Sequence, residues 1–199
     1  MAITLPLDAS APPPARVVSI GAEATEGALI EACLTGDERA RRIFYERHYR
    51  MVLGVALRYA VDEPQARDYL NRTFLTAFKR LDQFRGEGAV AAWLRTICVN
   101  VCLGQLRIRR NQSYAELPDA GKEKSAPPRA LQELAAEDLI ALIQQLPPVP
   151  RAVFNLTAVE GMSHKQAGLR LGITETTSRY HLRQARLRLQ AAVTKLNQR

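Results

Sequence analysis

Apolar residues recur every three or four positions between residues 29 and 102, and this spacing predicts four amphipathic helices. The first is short and ends at Gly36, and Asp37 can cap the second. Pro64 fits the first turn of the third helix, where its missing N–H has no helical partner. The apolar positions are Leu29, Ile30, Cys33 and Leu34; Ala40, Ile43, Phe44, Val52, Val55, Ala56 and Tyr59; Ala66, Leu70, Thr73, Phe74, Ala77, Phe78 and Leu81; and Val90, Trp93, Leu94, Ile97, Cys98, Val101 and Cys102. The pattern predicts a four-helix domain.

A polar stretch without a sustained apolar period separates this domain from a second one. The predicted organisation is a flexible tail at 1–24, a helical domain at 25–110, a linker at 111–130 and a second helical domain at 131–199. A linker of this length spans roughly 25 Å when relaxed and about 66 Å when extended. It could therefore hold two modules more than one DNA turn (about 34–36 Å) apart. The predicted fold class is all-α, with two small domains.

The second domain ends in the pattern of a helix-turn-helix. Apolar residues from Leu131 to Leu146 predict its first helix, and a second one opens at Pro150. The segment Ser163–Gln166 has the residues of a capping box and starts a short helix. Gly172 supplies a tight turn, after which Thr174 can cap the last helix.

The last helix is predicted to present a row of hydrogen-bond donors suited to phosphates and base edges. The chain has a net charge of +8, and the segment from Arg151 onward contains nine basic residues and only two acidic ones. A second basic run lies at 107–110. This distribution favours a polyanionic partner. The predicted DNA-contacting residues of the second domain are Ser163, Lys165, Thr174, Thr176, Thr177, Ser178, Arg179, His181, Arg183 and Arg186.

Other functional classes find little support in the sequence. The first 22 residues lack the pattern of a signal peptide, and no apolar run approaches membrane-spanning length, so we expect no membrane insertion. Three cysteines without a secretion signal favour reduced thiols in the cytoplasm. No nucleophile–base set, metal-ligand spacing or phosphate loop stands out, so we expect a protein that is not an enzyme and needs no cofactor.

Three segments resemble the extracytoplasmic-function sigma factors of bacteria. They read "ARDYLNRTFLTAFKRLDQFRGEG" and "AAWLRTICVN" in the first domain, and "IQQLPPVPRAVFNLTAVEGMSHKQAGLRLGITETTSRYHLRQARLRL" in the second. The resemblance covers about Leu29 to Leu196. It implies two promoter-binding helical domains and no catalytic residues. It also implies three partners: core RNA polymerase, promoter DNA in double-stranded and melted form, and an anti-sigma factor.

The resemblance assigns roles to residues of the first domain. Its third helix would dock on core polymerase through Asp68, Asn71, Arg72, Phe74 and Phe78. The −10 element would be bound by Phe84, Arg85, Gly86, Trp93, Arg95, Asn100, Arg107, Arg109 and Arg110, with the loop at 83–92 receiving an extruded base. The last helix would read the −35 element. Family members commonly carry Gln-Glu where this chain has Asn71-Arg72, which reverses a charge on the implied docking surface.

Two other functions are compatible with the sequence. One is a helix-turn-helix regulator that binds DNA without polymerase, and it leaves the first domain unexplained. The other is an adaptor that binds polymerase or a signalling protein without opening DNA. Replacing Arg179 and Arg183 with alanine separates them, because a sigma factor or a regulator loses DNA-dependent function and an adaptor does not.

Overall fold

The structure is a computed structural model that describes residues 21, 23–84, 86, 89–112 and 136–196. These residues form eight α-helices, a 3-10 turn at Leu81–Gln83 and a π-helical turn at Asn155–Val159. The helices are α1 Glu26–Leu34, α2 Glu38–Tyr59, α3 Glu63–Lys79, α4 Val90–Gln112, α5 Ala136–Gln144, α6 Pro148–Phe154, α7 His164–Leu171 and α8 Glu175–Leu196. The all-α fold class is confirmed. Outside the described residues lie most of the predicted tail and linker, Arg85, and the side chains of Arg109 and Arg110.

Side-chain caps begin α2 and α3, and the cap at Asp37 was predicted. The Asp37 carboxylate accepts bonds from the backbone N–H groups of Arg39 and Ala40 at 2.8 and 3.1 Å. Asp62 accepts from Gln65 at 2.8 Å, with Pro64 in the first turn of α3. Each acceptor satisfies a backbone donor that has no partner within the helix. These local bonds explain why α2 and α3 start where the sequence indicated.

The core of the first domain is formed by α2, α3 and α4, which pack against one another, with α1 against α2. Phe44, Leu70 and Leu94 are almost completely buried there. Leu34 departs from the predicted apolar pattern, because it lies at the last position of α1 and is 51% exposed. The other apolar positions predicted for this domain are buried or half-buried.

The second domain packs α6 and α7 against α8, and α5 also contacts α8. Its core holds Leu156, Leu171 and Leu189. The helix expected to open at Pro150 begins two residues earlier, at Pro148. Its N-terminal cap Pro147 is extended, with ψ 152°, and a proline in the first turn forfeits no helical bond.

The two domains are in contact: α5 and α6 pack against α2, and α6 and α7 pack against α4. Side chains of the second domain bond to the four backbone carbonyls at the C-terminal end of α2, from Leu57 to Ala60. Carbonyls at a helix end have no partner within the helix. The second domain thus supplies the C-terminal cap of a first-domain helix, although the predicted linker is long enough to hold the domains apart.

Candidate nucleic-acid interface

Helices α7 and α8 form a helix-turn-helix whose ends are fixed by local bonds. Ser163 and Gln166 form the predicted capping box: the Ser163 hydroxyl accepts from Gln166 N–H at 3.2 Å, and Gln166 Oε1 accepts from Ser163 N–H at 2.9 Å. Gly172 ends α7 in the left-handed region, with φ 66°. Thr174 Oγ1 then accepts from Thr177 N–H at 3.1 Å and caps α8, as predicted.

The turn between the two helices depends on a second glycine that the sequence did not single out. A Cβ added at Gly168 would lie 2.7 Å from the backbone oxygen of Ile173. Ile173 N–H also donates to the Gly168 carbonyl at 3.0 Å. The chain therefore returns too closely over α7 for a side chain at this position. The signal in the sequence that marks this glycine is its place inside a helix, four residues before the turn.

The first turns of α8 carry part of the predicted donor row on their surface. Ser163, Lys165, Thr174, Thr176 and Arg179 are exposed, and Thr177, Arg183 and Arg186 are half-buried. Arg179 donates to Glu175, one turn earlier, at 2.5 Å, and its side chain is 64% exposed.

Two residues predicted for this face lie in the interior, so their placement is corrected. Ser178 is fully buried and His181 is 7% exposed. The helical period of 3.6 residues turns them inward with the core leucine Leu182. Ser178 Oγ lies 3.0 Å from Nδ1 of His164, on the preceding helix.

Burial also lowers the pKa of both histidines of this motif. For His164, desolvation comes first and the nearby charge of Arg179 adds to it; for His181, desolvation alone is the cause. Among the described residues, neither ring nitrogen of His181 has a hydrogen-bond partner. Because burial favours the neutral form, His181 fits a neutral core position better than a contact to DNA.

The exposed face of α3 carries three of the five residues assigned to polymerase docking. Asp68, Asn71 and Arg72 are exposed. The Arg72 guanidinium donates to the Asp68 carboxylate through Nε at 2.8 and 2.9 Å. The reversed charge at residue 72 is thus paired along the helix. Phe78 is half-buried.

Phe74 was assigned to the same surface, and the structure corrects this placement. The side chain is 3% exposed, with its ring 4.5 Å from that of Tyr45 and 6.5 Å from that of Phe44, measured between centroids. Leu75 was not predicted for this surface, but it is 62% exposed and lies seven residues after Asp68, two helical turns along the same face.

The loop before α4 contains the aromatic pair Phe84 and Trp93. Their ring centroids lie 5.4 Å apart, and both side chains are half-buried against the core. Gly86 adopts φ 71°, which favours glycine, and a Cβ there would meet nothing within 4 Å. The described part of this segment therefore offers a pair of aromatic rings and, at Gly86, a position with open space around it among the described residues.

The resemblance assigns three polar residues of α4 to the binding of −10 DNA. In the structure, these residues form hydrogen bonds with the second domain. Arg95 forms two bonds with Glu160, Nε to Oε2 at 2.7 Å and Nη2 to Oε1 at 3.1 Å. Asn100 Oδ1 accepts from Arg170 at 3.4 Å. Arg107 donates to the Arg170 carbonyl through Nε, at 3.0 Å, and through Nη2.

Glu160 is a functional candidate that the sequence analysis did not propose. It directly follows the π-helical turn, its side chain is 10% exposed, and its Oε1 also lies 3.4 Å from Nη2 of Arg58. The hydrogen bond that Arg95 donates to Glu160 raises the pKa of Arg95, so this guanidinium is charged at neutral pH. Only the fold brings Glu160 to Arg95, because 65 positions separate them in the chain.

A second arginine of the domain contact is buried without a carboxylate. Arg151 is 3% exposed and donates to the carbonyls of Leu146, Tyr59 and Ala60. Desolvation lowers the pKa of Arg151. The hydrogen bonds to the carbonyls offset the cost of burying the charge, as a carboxylate would otherwise do. A cation at the C-terminal end of α2 also interacts favourably with the helix dipole.

Within the described residues, no cluster of three or more acidic, histidine or cysteine side chains fits a metal ion. The same part of the chain has no helix that is long and apolar enough to cross a membrane. Cys33, Cys98 and Cys102 are free and buried, and burial raises the pKa of Cys33 to about 11.

Comparisons with known proteins define the class first. The family described as Sigma-70 region 2 matches residues 44–112, and the family described as Sigma-70 region 4 matches residues 136–189. These matches cover α4, α7 and most of α8, and together they span more than half of the chain. The protein is therefore a sigma factor of RNA polymerase built from these two regions.

Relatives of known function narrow the class. The chain is 29% identical to the ECF RNA polymerase sigma factor SigM of Mycobacterium tuberculosis over 178 residues, which covers 88% of both chains. It is 28% identical to the RNA polymerase sigma-H factor of Pseudomonas aeruginosa, over 69% of this chain and 77% of that one. The protein belongs to the extracytoplasmic-function sigma factors.

Solved structures show similar chains at lower identity. CnrH, in complex with the cytosolic domain of CnrY, is 24% identical with a TM-score of 0.44, over 84% of this chain and 96% of that one. RpoE of Bartonella quintana, in complex with the anti-sigma factor NepR, is 21% identical with a TM-score of 0.46, over 76% and 96%.

Proposed function

We propose that this sigma factor reads the −35 element with α8 and melts the −10 region with the loop before α4 and with α4 itself. One observation carries the proposal: Thr176 and Arg179 are exposed on the first turns of a capped helix, in a helix-turn-helix of high positive charge. Such a helix presents donors to the edges of bases in the major groove.

For the −10 element we propose that the loop before α4 receives an extruded base. Phe84 and Trp93 offer aromatic surface, and Gly86, two residues after Phe84 in the chain, has open space around it among the described residues. An extruded base can stack on aromatic side chains, and it is held most easily where the backbone leaves room. Arg95, Asn100 and Arg107 would contact the same strand once they are free of the second domain.

For core polymerase we propose the exposed face of α3, with Asp68, Asn71, Arg72 and Leu75 as its centre. An anti-sigma factor is a further proposed partner, as the family resemblance implies. We propose that the protein has no catalytic chemistry of its own, and that it works in the cytoplasm, where promoter DNA and polymerase meet.

Reconstituted transcription tests this function. Purified protein is added to core polymerase and to genomic DNA of its source, and transcript starts are mapped. We expect discrete start sites that require the protein and that disappear when Arg179 and Arg183 are both replaced by alanine. Promoter binding without polymerase and without new transcripts would instead indicate a regulator. Polymerase binding that is unaffected by the two replacements, with no transcripts, would indicate an adaptor.

A further inference from the structure

His164 and Ser178 connect the two helices of the helix-turn-helix. Nδ1 of His164, at the first position of α7, lies 3.0 Å from Oγ of Ser178 on α8. Ser178 is completely buried, whereas His164 is half-buried. The serine that the sequence placed among the DNA-contacting residues therefore bonds to a histidine, and it is the histidine that reaches the surface of the motif.

The bond to Ser178 leaves the second ring nitrogen of His164 for another partner. Nδ1 and Nε2 are distinct positions on the ring, and only Nδ1 is engaged by the buried hydroxyl. Within the described residues, Nε2 of His164 is not among the buried side-chain atoms that lack a hydrogen bond, whereas both ring nitrogens of His181 are. Nε2 of His164 is thus accessible to a ligand.

The surroundings of the ring oppose its protonation in the free protein. Burial lowers the pKa of His164 most, and the positive charges of Arg179 and Arg186 lower it further, while the negative charge of Glu175 acts in the opposite direction. All three charged residues lie on α8. The free protein therefore holds His164 neutral at neutral pH.

Other charged groups near α7 are exposed or bonded elsewhere. On α7 itself, the neighbouring Lys165 is exposed. Helix α4 and the π-helical turn also pack against α7. Arg107 of α4 donates to the Arg170 carbonyl, and Glu160, which follows the turn, is ion-paired with two arginines of the first domain. The charges that shift the pKa of His164 thus come from the helix that is predicted to read DNA.

We propose that His164 binds a phosphate of the −35 DNA through Nε2, gains a proton as it does so, and is oriented for this contact by Ser178. The inference rests on the proposed −35 role of α8. His164 lies between Ser163 and Lys165, which are exposed and predicted to contact DNA. Its ring also lies within reach of the charge of Arg179, an exposed donor on the first turns of α8.

The proton couples DNA binding to pH. A phosphate beside Nε2 favours the charged ring and raises its pKa in the complex. Both nitrogens of a protonated ring donate, and a serine hydroxyl accepts as well as donates, so the bond to Ser178 persists. The complex then holds more protons than the free protein, and the affinity rises as the pH falls. A pKa that is one unit higher in the complex gives up to about tenfold tighter binding.

The experiment compares three full-length variants with the wild type. His164→Gln keeps a polar side chain that does not titrate. Ser178→Ala removes the hydroxyl that orients the ring, with no change of charge. His48→Gln is the matched control, because it removes a histidine from α2 of the first domain, where Nε2 of His48 lies 2.7 Å from Glu26.

The affinity for two fluorescent duplexes is measured, one of mixed sequence and one with a mapped −35 element. We expect the wild type and His48→Gln to bind roughly three- to tenfold more tightly at pH ~5.5 than at pH ~7.5, and His164→Gln to lose this gain. Ser178→Ala should keep only part of it. Since a phosphate contact carries no sequence information, the gain should be equal on both duplexes. Circular dichroism verifies that all chains stay folded at both pH values.

The salt dependence gives a readout that a purely structural histidine would not change. Each neutralised phosphate steepens the logarithmic dependence of affinity on salt by about 0.9. The wild type should exceed His164→Gln by up to about this amount at pH ~5.5, and the two should coincide at pH ~7.5.

Three outcomes overturn the assignment. One is the same pH and salt dependence in the wild type and His164→Gln. Another is an equal loss of affinity in His164→Gln at both pH values, because the histidine would then only support the fold of the motif. The third is a gain confined to the −35 duplex, which would indicate a base as the ligand. Transcription by the wild type with core polymerase is measured in parallel. A wild type that directs no transcription counts against the proposed function, whereas an active wild type whose pH response is shared by His164→Gln counts against the phosphate contact alone.

Discussion

Nε of Arg95 lies 2.7 Å from Oε2 of Glu160, so a predicted DNA-contacting residue of the first domain is ion-paired to the second domain. The arginine side chain is 41% exposed and the carboxylate 10%. Solvent screens the pair on the arginine side, so we expect it to contribute about 1 kcal/mol or less. An ion pair of this strength can be replaced by contacts to DNA, whereas a fully buried ion pair could not.

The tight turn of the helix-turn-helix predicts that Gly168→Ala destabilises the protein. The new Cβ would lie 2.7 Å from the Ile173 oxygen, so backbone must move, at a cost of about 1–3 kcal/mol. Gly104→Ala in α4 is the control, because nothing lies within 4 Å of its added Cβ, and it should stabilise by about 0.5–1 kcal/mol. Urea unfolding measures both, and equal effects of the two changes would argue against the close approach.

The buried guanidinium of Arg151 predicts a large loss of stability when it is replaced. Arg151→Lys keeps a charge but loses the fork that donates to the carbonyls of Leu146, Tyr59 and Ala60. Leaving these acceptors buried costs about 2–4 kcal/mol. The exposed Arg42→Ala should change the free energy of unfolding by about 0.5 kcal/mol or less. A similar small effect at both sites in thermal unfolding would contradict this interpretation.

The lowered pKa of His181 predicts that acid weakens the fold. The pKa of His181 is about 6.5 in the unfolded chain and lower in the folded protein. The stability that the neutral His181 contributes is therefore fully present above the pKa of the unfolded state and is lost as the pH falls towards the pKa of the folded state. The free energy of unfolding then changes by at most about 1.4 kcal/mol per pH unit. His181→Leu removes this titration. We expect its stability to fall less steeply than that of the wild type below pH ~6.5, and parallel curves in urea unfolding would refute the assignment.

The exposed donor Arg179 predicts a specific loss of promoter binding. Arg179→Ala should weaken binding to a mapped promoter by about 1–3 kcal/mol, while thermal stability stays near that of the wild type because the side chain is 64% exposed. Arg188→Ala is the control, since it removes an exposed positive charge farther along α8, outside the predicted contact set. Equal losses from both replacements would mean that α8 contributes charge without reading bases.

The α3 face predicts that Leu75→Ala weakens the association with core polymerase. The side chain is 62% exposed, so its removal should leave the fold stable to within about 0.5 kcal/mol. Burying it in an interface is worth about 1.5–3 kcal/mol, and we expect roughly a tenfold loss of affinity in a competition assay. Leu34→Ala, at a similarly exposed leucine on α1, should bind polymerase like the wild type.

Local chemistry explains which predictions from the sequence succeeded. The caps at Asp37, Ser163 and Thr174 act through bonds to residues two or three positions away, so the sequence contains all that is needed to place them. The apolar period of 3.6 residues placed most of the core in the same way. Ser178 and His181 were predicted for the surface because their side chains are polar, and Phe74 was assigned to a docking surface by the family resemblance, whereas their helical positions turn all three inward.

The sequence by itself determined the helical segments, the caps at Asp37, Ser163 and Thr174 and the helix-turn-helix, because each depends on periodicity and short-range bonds. Its resemblance to known segments indicated the family. Only the tertiary structure decided how the domains meet. Glu160 and Arg95, or Arg151 and Ala60, are 65 and 91 positions apart, and no local pattern relates them. Their pairing follows from the packing of two cores and from the need of the last α2 carbonyls for donors that their own helix cannot supply.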